Sequence, residues 1–206
     1  VVYYVSPQLW AWRRGRIKDV KRDVAKMLVI FPFEEAIYRD ASVPVSFVGH
    51  PLVDHVSPPE DRAAFARTLG FSGARPVVAL LPGSRNKEVA FNLPGIVGAA
   101  KLLRDKHPEL DFALAAAPHL RPSALQEAVD AGIAVKEGMT RDVLAAARVA
   151  IVASGTATVE TALTLTPMVV VYRLSALTYT LGKPLVSVSN YAMVNLIAGR
   201  VVVPEL

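Results

Sequence analysis

Two short polar turns in this sequence carry residue types that bind anions. The first is Gly83-Ser84-Arg85, which follows the apolar run Val77–Leu81. Glycine lets the backbone approach a ligand, serine can cap a helix or donate a hydrogen bond, and arginine offers a planar fork suited to phosphate. The pattern predicts a buried strand, a turn and a helix N-terminus, whose N–H groups favour negative charge. An ordinary strand-to-helix turn with a surface arginine explains these residues equally well, because the glycine spacing matches neither a P-loop nor a dinucleotide fingerprint.

The second turn is Ser154-Gly155-Thr156, which follows a predicted strand at 149–153. Its small side chains leave room for a ligand, and its hydroxyls can donate to phosphate. Glu160 lies about one turn into the following helix, where a carboxylate can accept hydrogen bonds from the two hydroxyls of a ribose. A capping-box role suits Glu160 poorly, because Ala157 stands where that motif needs Ser or Thr. Two such turns on neighbouring strands predict an anion site more specifically than either turn alone.

The composition indicates a globular protein with one large or two small domains. The chain has 206 residues, of which 52% are hydrophobic and 20% are charged. The absence of cysteine excludes disulfides and thiol chemistry, and the four isolated histidines do not form a metal-binding cluster. No apolar run approaches the ~20 residues that a membrane-spanning helix needs.

A basic run at 13–26 supplies much of the net charge of +5. Such a run suits anionic lipid or nucleic acid, but it is more often the solvated face of a helix.

The elements that must position the two turns alternate between strands and helices. Residues 1–52 show a βαβαβ pattern, which predicts the last part of one α/β domain. Residues 53–206 begin with a linker and predict a second, doubly wound parallel domain. Pro94 predicts that no continuous helix runs onward from Lys87, so we expect a short turn at 87–90 and then a helix from about Pro94 to Lys106.

Seven segments, spread over almost the whole chain, carry a resemblance to a known family. They are YVSPQLWAWRRGRI, FPFEEAIY, FVGHPLVD, LLPGSRNKEV, SGTATVE, PMVVVYR and NLIAGRVVVPEL. In these segments the sequence resembles the lipid-A-disaccharide synthases, inverting glycosyltransferases of the GT-B fold. The resemblance implies an α/β fold of GT-B type, with a doubly wound Rossmann-like C-terminal domain at 53–206 that binds the nucleotide sugar. Residues 1–52 would be the tail of a Rossmann-like N-terminal acceptor domain, and we expect this chain to lack most of that domain and the final C-terminal helices.

The resemblance implies a reaction and assigns residues to it. A 2,3-diacylglucosamine unit would pass from UDP-2,3-diacylglucosamine to 2,3-diacylglucosamine-1-phosphate (lipid X), which releases UDP and forms lipid A disaccharide-1-phosphate. Arg85 would stabilise the leaving group, and the remaining candidates would bind the substrate. These are Gly83, Ser84, Glu88, Ser154, Gly155, Thr156, Glu160, Arg173, Asn195 and Arg200. Of these, Glu160 would hold the ribose, and Asn195 and Arg200 would complete the donor site, with a dimer interface as one possible location. The catalytic base is expected in the missing N-terminal part, and neither a metal nor a cofactor is implied.

The resemblance also implies partners and a location. The protein would act as a peripheral membrane protein of lipopolysaccharide biosynthesis, on the cytoplasmic face of the bacterial inner membrane. The resemblance also allows a homodimer of the full-length protein. We expect the fragment alone to be inactive. Another GT-B enzyme that uses UDP-GlcNAc, such as a 2-epimerase or a peptidoglycan glucosaminyltransferase, remains an alternative. A basic nucleic-acid-binding domain is a remote alternative, because the sequence shows no recognised nucleic-acid module.

Overall fold

The computed structural model describes residues 1–9, 14–173 and 191–206 and contains two parallel β-sheets. The part of the first resembling segment at 10–13 lies outside the described residues. The first sheet has the strand order β1-β2-β3. Its strands are β1 (Val2–Tyr4), β2 (Lys26–Val29) and β3 (Val45–Phe47). The helices that connect them are α1 (Ile17–Asp23) and α2 (Pro32–Asp40). This is the βαβαβ arrangement predicted for residues 1–52.

The second sheet has five parallel strands in the order β6-β5-β4-β7-β8. These strands are β4 (Val77–Leu81), β5 (Asp111–Ala116), β6 (Ala134–Glu137), β7 (Ala147–Ala153) and β8 (Met168–Val171). The helices of this part are α3 (Arg62–Thr68), α4 (Asn86–Lys106), α5 (Gln126–Asp130), α6 (Thr140–Ala146), α7 (Thr156–Leu163) and α8 (Met193–Ala198). The predicted α/β fold class is therefore confirmed.

Strand β4 shows why both faces of the second sheet must be covered. All five of its residues are buried. Val77, Ala79 and Leu81 pack into a cluster with α3 and α6, whereas Val78 and Leu80 pack into a separate cluster with α4 and α5. Successive side chains of a strand point to opposite faces, so an uninterrupted apolar strand requires helices on both sides. The sheet is doubly wound, as the sequence predicts.

The prediction that Pro94 interrupts the following helix is wrong. Helix α4 runs without a break from Asn86 to Lys106 and contains Pro94 in its interior. A proline there removes one hydrogen bond and costs roughly 3 kcal/mol. The helix tolerates this cost because an apolar stripe continues through the proline, with Val89 and Leu93 buried before it and Ile96 and Val97 buried after it. Packing against the sheet outweighs the local preference of the chain.

The two sheets are joined by a small apolar cluster. Ile30 and Phe31, which follow β2, pack in it with Val159 of α7 and Met193 of α8. The chain passes from the first part to the second through a 3-10 turn at Pro51–Asp54. The predicted boundary between residues 52 and 53 falls inside this turn, and as a domain boundary it stays a prediction. Among the described residues, no helix is long and apolar enough to cross a membrane.

Candidate functional site

The two polar turns lie side by side at the carboxyl edge of the second sheet. Strands β4 and β7 are adjacent and parallel, and Leu81 pairs with Val152 near their ends. From β4 the chain proceeds to β5 and β6 on one side, and it later returns to place β7 and β8 on the other side. Such a reversal of strand order opens a crevice at the carboxyl ends of the strands, where ligands of doubly wound proteins bind. The predicted neighbourhood of the two turns is therefore confirmed.

The first turn requires a glycine for a physical reason. Gly83 has a φ of +118°, which residues with a Cβ atom rarely adopt. A Cβ at this position would also lie 2.9 Å from the Cβ of Glu88. Arg85 is the N-cap residue of α4, so the N–H groups of Ser84 and Arg85 precede the helix and are not bonded within it.

In the structure these two N–H groups are hydrogen-bonded to the carboxylate of Glu88. Glu88 Oε2 accepts hydrogen bonds from the backbone nitrogens of Ser84 at 3.1 Å and of Arg85 at 3.3 Å. Glu88 Oε1 lies 2.5 Å from Arg85 Nη1. The side chains remain accessible, with 78% of Arg85 and 38% of Glu88 exposed. Gly83, Ser84, Arg85 and Glu88 are thus brought together around one negative charge.

The second turn leads directly into α7, which begins at Thr156. The first N–H groups of a helix have no partner inside it, so those at Thr156 and Ala157 point out of the N-terminal end of α7. The Ser154 hydroxyl is engaged, since it donates to the backbone oxygen of Tyr191 at 2.6 Å. The backbone nitrogen of Ser154 donates to Val171, as part of the sheet.

Glu160 is paired with a residue that the sequence did not single out. Its Oε1 atom lies 3.1 Å from Arg141 Nε, and 17% of the Glu160 side chain is exposed. Arg141 lies in the first turn of α6, while Glu160 lies in α7. The ion pair holds the Glu160 carboxylate in one orientation and leaves its second oxygen as an acceptor.

Asn92 is a second residue that sequence reasoning missed. It is buried in α4, where its Nδ2 donates to the backbone oxygen of Pro82 at 3.2 Å. Its Oδ1 accepts from the backbone nitrogen of Arg173 at 3.1 Å. Asn92 thereby ties the end of β4 to the second residue after β8 and fixes the backbone of Arg173, which is exposed. An asparagine within an apolar helical stripe is the signal that would have identified it.

Asn195 and Arg200 have different surroundings. Asn195 is fully buried and holds the last residues of the chain: its Nδ2 donates to Val203 and Glu205, and its Oδ1 accepts from Val202 and Val203, at 2.6–3.0 Å. The structure therefore gives Asn195 a positioning role, and contact with a ligand stays a prediction. Arg200 is exposed and has no hydrogen bond or ion pair with the rest of the described chain.

An aromatic pair borders both turns. The rings of Tyr172 and Tyr191 stack with their centroids 5.9 Å apart. Burial, and then the negative charge of Glu88, raise the pKa of the Tyr172 phenol. Tyr191 accepts the hydrogen bond from Ser154. Tyr172 is therefore close to Glu88 beside the first turn, and the backbone of Tyr191 is bonded to Ser154 of the second turn.

Comparisons with known proteins identify relatives over the whole chain. The sequence model of the family described as Lipid-A-disaccharide synthetase matches residues 1–206. The chain is 45% identical to Lipid-A-disaccharide synthase of Geobacter metallireducens, with all of this chain and 54% of that protein aligned. It is 49% identical to Lipid-A-disaccharide synthase of Koribacter versatilis, again over all of this chain and 54% of that protein. The chain thus spans about half the length of the curated relatives it matches.

Two solved structures align more weakly. The crystal structure of S. aureus TarM in complex with Fondaparinux, alpha-GlcNAc-glycerol and UDP is 10% identical, covers 77% of this chain and 32% of TarM, and gives a TM-score of 0.48. The GtfA/B complex is 10% identical, covers 93% of this chain and 36% of the aligned chain, and gives a TM-score of 0.49. These values are too low to support a conclusion, so the fold rests on the sheets described above.

Proposed function

The chain belongs to the lipid-A-disaccharide synthase family, and we propose that the full-length protein is a glycosyltransferase of GT-B type whose donor nucleotide binds at the two turns. It transfers 2,3-diacylglucosamine from UDP-2,3-diacylglucosamine to the free hydroxyl of lipid X. The products are lipid A disaccharide-1-phosphate and UDP. No observation on the chain favours the epimerase, the peptidoglycan glucosaminyltransferase or the nucleic-acid-binding alternative over this function.

The observation that carries the proposal is the position of the two turns at the reversal of strand order. The diphosphate of UDP would lie between the N-terminal ends of α4 and α7, where backbone N–H groups and the positive end of a helix dipole favour an anion. Arg85 would contact the phosphate oxygens from one side. Glu160, oriented by Arg141, would accept hydrogen bonds from the ribose.

This arrangement suits the departure of UDP. Negative charge accumulates on the diphosphate as the glycosidic bond breaks, and donors that are already oriented stabilise it without reorganisation. Gly83 and Asn92 keep the first turn and the Arg173 backbone in place, so the donors need little adjustment. The acceptor hydroxyl must lose a proton to a base, which we place in the N-terminal part of the full-length protein.

The acylated substrates also imply a membrane surface. Helix α1 has no buried residue and presents Lys18, Lys21 and Arg22 to solvent. Basic residues on an exposed helix favour the anionic surface of the cytoplasmic leaflet. We therefore include peripheral contact with the inner membrane in the proposal, together with a homodimer of the full-length protein.

A transfer assay tests the proposed function. The full-length protein is incubated with lipid X and either UDP-2,3-diacylglucosamine or UDP-GlcNAc, and the released UDP and the lipid product are measured. We expect disaccharide only from the acylated donor. Equal or better use of UDP-GlcNAc would contradict the proposed substrate and favour another UDP-GlcNAc enzyme.

A further inference from the structure

Glu88 makes more contacts with the first turn than a helix cap requires. In a capping box the N3 side chain accepts a hydrogen bond from the N–H of the N-cap residue. Glu88 satisfies this with Arg85, but its carboxylate also accepts from the Ser84 N–H and lies against the Arg85 guanidinium. Two successive N–H groups and a guanidinium converge on one carboxylate. This is the set of donors that a phosphate group would use.

The backbone of the turn is shaped around that carboxylate. A Cβ on Gly83 would lie 2.9 Å from the Glu88 Cβ and 3.0 Å from its Oε2. Any larger residue at position 83 would force the Glu88 side chain away from the N–H groups. The glycine therefore serves the close approach of Glu88 to the turn, in addition to the approach of a ligand.

We infer that Glu88 is an internal competitor for the phosphate site. In the free protein its carboxylate takes the place of a nucleotide phosphate, and it must leave the Ser84 and Arg85 donors before the diphosphate can bind. This inference rests on the proposed function, which places the diphosphate at this turn. Two anions cannot share the same donors, so Glu88 lowers the affinity for UDP and promotes its release after transfer.

A ligand phosphate can replace Glu88 in these contacts at a small cost in stability. The Arg85–Glu88 ion pair is largely exposed, and such pairs contribute little to stability. The Tyr172 phenol lies near enough for the Glu88 charge to raise its pKa, after the larger effect of burial.

The substitution Glu88→Gln in the full-length protein tests whether Glu88 competes with the phosphate or supports the turn. It removes the charge and keeps the size of the side chain. The measurement is the Kd for UDP by calorimetry, with steady-state product inhibition by UDP. We expect UDP to bind about two- to fivefold more tightly, the scale of a lost charge–charge competition at an exposed site. Inhibition by UDP should strengthen to the same extent. The control Glu127→Gln makes the same change in charge on α5 and should leave both quantities unaltered.

Unchanged or weaker UDP binding by Glu88→Gln would overturn the inference, because Glu88 would then support the turn or hold Arg85 for the ligand. Glu88→Ala provides a second variant, which should also bind UDP more tightly if its thermal unfolding matches that of the wild type.

Inorganic pyrophosphate distinguishes the two proposals. If the wild type does not bind UDP, the proposed function fails, but tighter pyrophosphate binding by Glu88→Gln would still support the competitor. If Glu88→Gln shows no such gain with pyrophosphate, the inference fails as well.

Discussion

Arg85 places a full positive charge beside the N–H groups of the first turn. Its side chain is 78% exposed and pairs with Glu88, so it can reach a ligand phosphate once that pair opens. In the proposed reaction it meets the charge that develops on the departing UDP. Its contribution therefore belongs to the transition state more than to the folded structure.

Replacing Arg85 tests this role. We expect Arg85→Ala in the full-length protein to lower turnover by about 10²–10³-fold, the usual scale for removing one donor that stabilises developing charge. Arg85→Lys keeps the charge but loses the planar fork, so it should lie between the wild type and Arg85→Ala. Steady-state transfer with saturating donor gives the measurement. Lys101→Ala removes a positive charge from the exposed face of the same helix and serves as the control; near-normal turnover of Arg85→Ala would reject the role.

The sequence allowed some site residues to be predicted and concealed others. Gly83, Ser84 and Arg85 could be predicted because their properties are local to one strand-to-helix turn. Arg141 could not, because it lies 19 positions before Glu160 and meets it only after the chain between them has folded into a helix and a strand. The contact between Asn92 and the Arg173 backbone spans 81 positions and exists only once β7 separates β4 from β8.

At the scale of elements, helix α4 shows how tertiary packing overrides a local signal. The proline at position 94 predicts a break, yet the buried residues before and after it share one face of a 21-residue helix. The Pro94 side chain is exposed, so it contributes little to the packing that retains it. The strand predicted at Val77–Leu81, in contrast, has the predicted bounds, because an apolar run buried on both faces leaves few alternatives.

Removing this proline should stabilise the protein. Pro94→Ala restores an N–H group inside α4, and we expect a net gain of about 1–2 kcal/mol, since a helical proline costs roughly 3 kcal/mol and part of the gain is lost through a freer unfolded chain. The thermal unfolding midpoint of the full-length protein should rise. Gly95→Ala, at an exposed position with nothing within 4 Å of its added Cβ, should give a smaller gain. A decrease for Pro94→Ala would mean that the helix is broken at this point.

The side chain of Arg62 joins the start of helix α3 to the ends of two other helices. Arg62 donates to the backbone oxygens of Leu144, Ala145, Ala147, Thr164 and Leu165 and to the hydroxyl of Thr166, at 2.7–3.4 Å. These acceptors lie where α6 and α7 end, so the guanidinium meets the negative ends of two helix dipoles. Burial lowers the pKa of Arg62, and the positive charge of Arg148 lowers it further.

Loss of Arg62 should therefore destabilise the part of the chain that contains the second sheet. We expect Arg62→Ala to reduce the free energy of unfolding by about 1–3 kcal/mol, because several carbonyl groups lose their partner. Arg67→Ala, on the exposed side of the same helix, should change it by no more than about 0.5 kcal/mol. Thermal unfolding of the full-length variants gives the comparison. Equal effects of the two substitutions would show that the Arg62 contacts are not essential.

At the scale of the whole molecule, two parallel sheets are held together by the cluster around Ile30, Phe31, Val159 and Met193. Val159 and Met193 belong to α7 and α8, and α7 also begins at the second turn. Helix α7, which we propose for diphosphate binding, is therefore in contact with the candidate site and with the first part of the chain.

A crystal structure of the full-length protein with UDP tests the central claim most directly. The diphosphate should lie between the turns that end β4 and β7, with its oxygens about 3 Å from the N–H groups of the first turn and of Thr156 and near the Arg85 guanidinium. The ribose hydroxyls should face Glu160. UDP bound elsewhere, with both turns free of ligand, would contradict the claim.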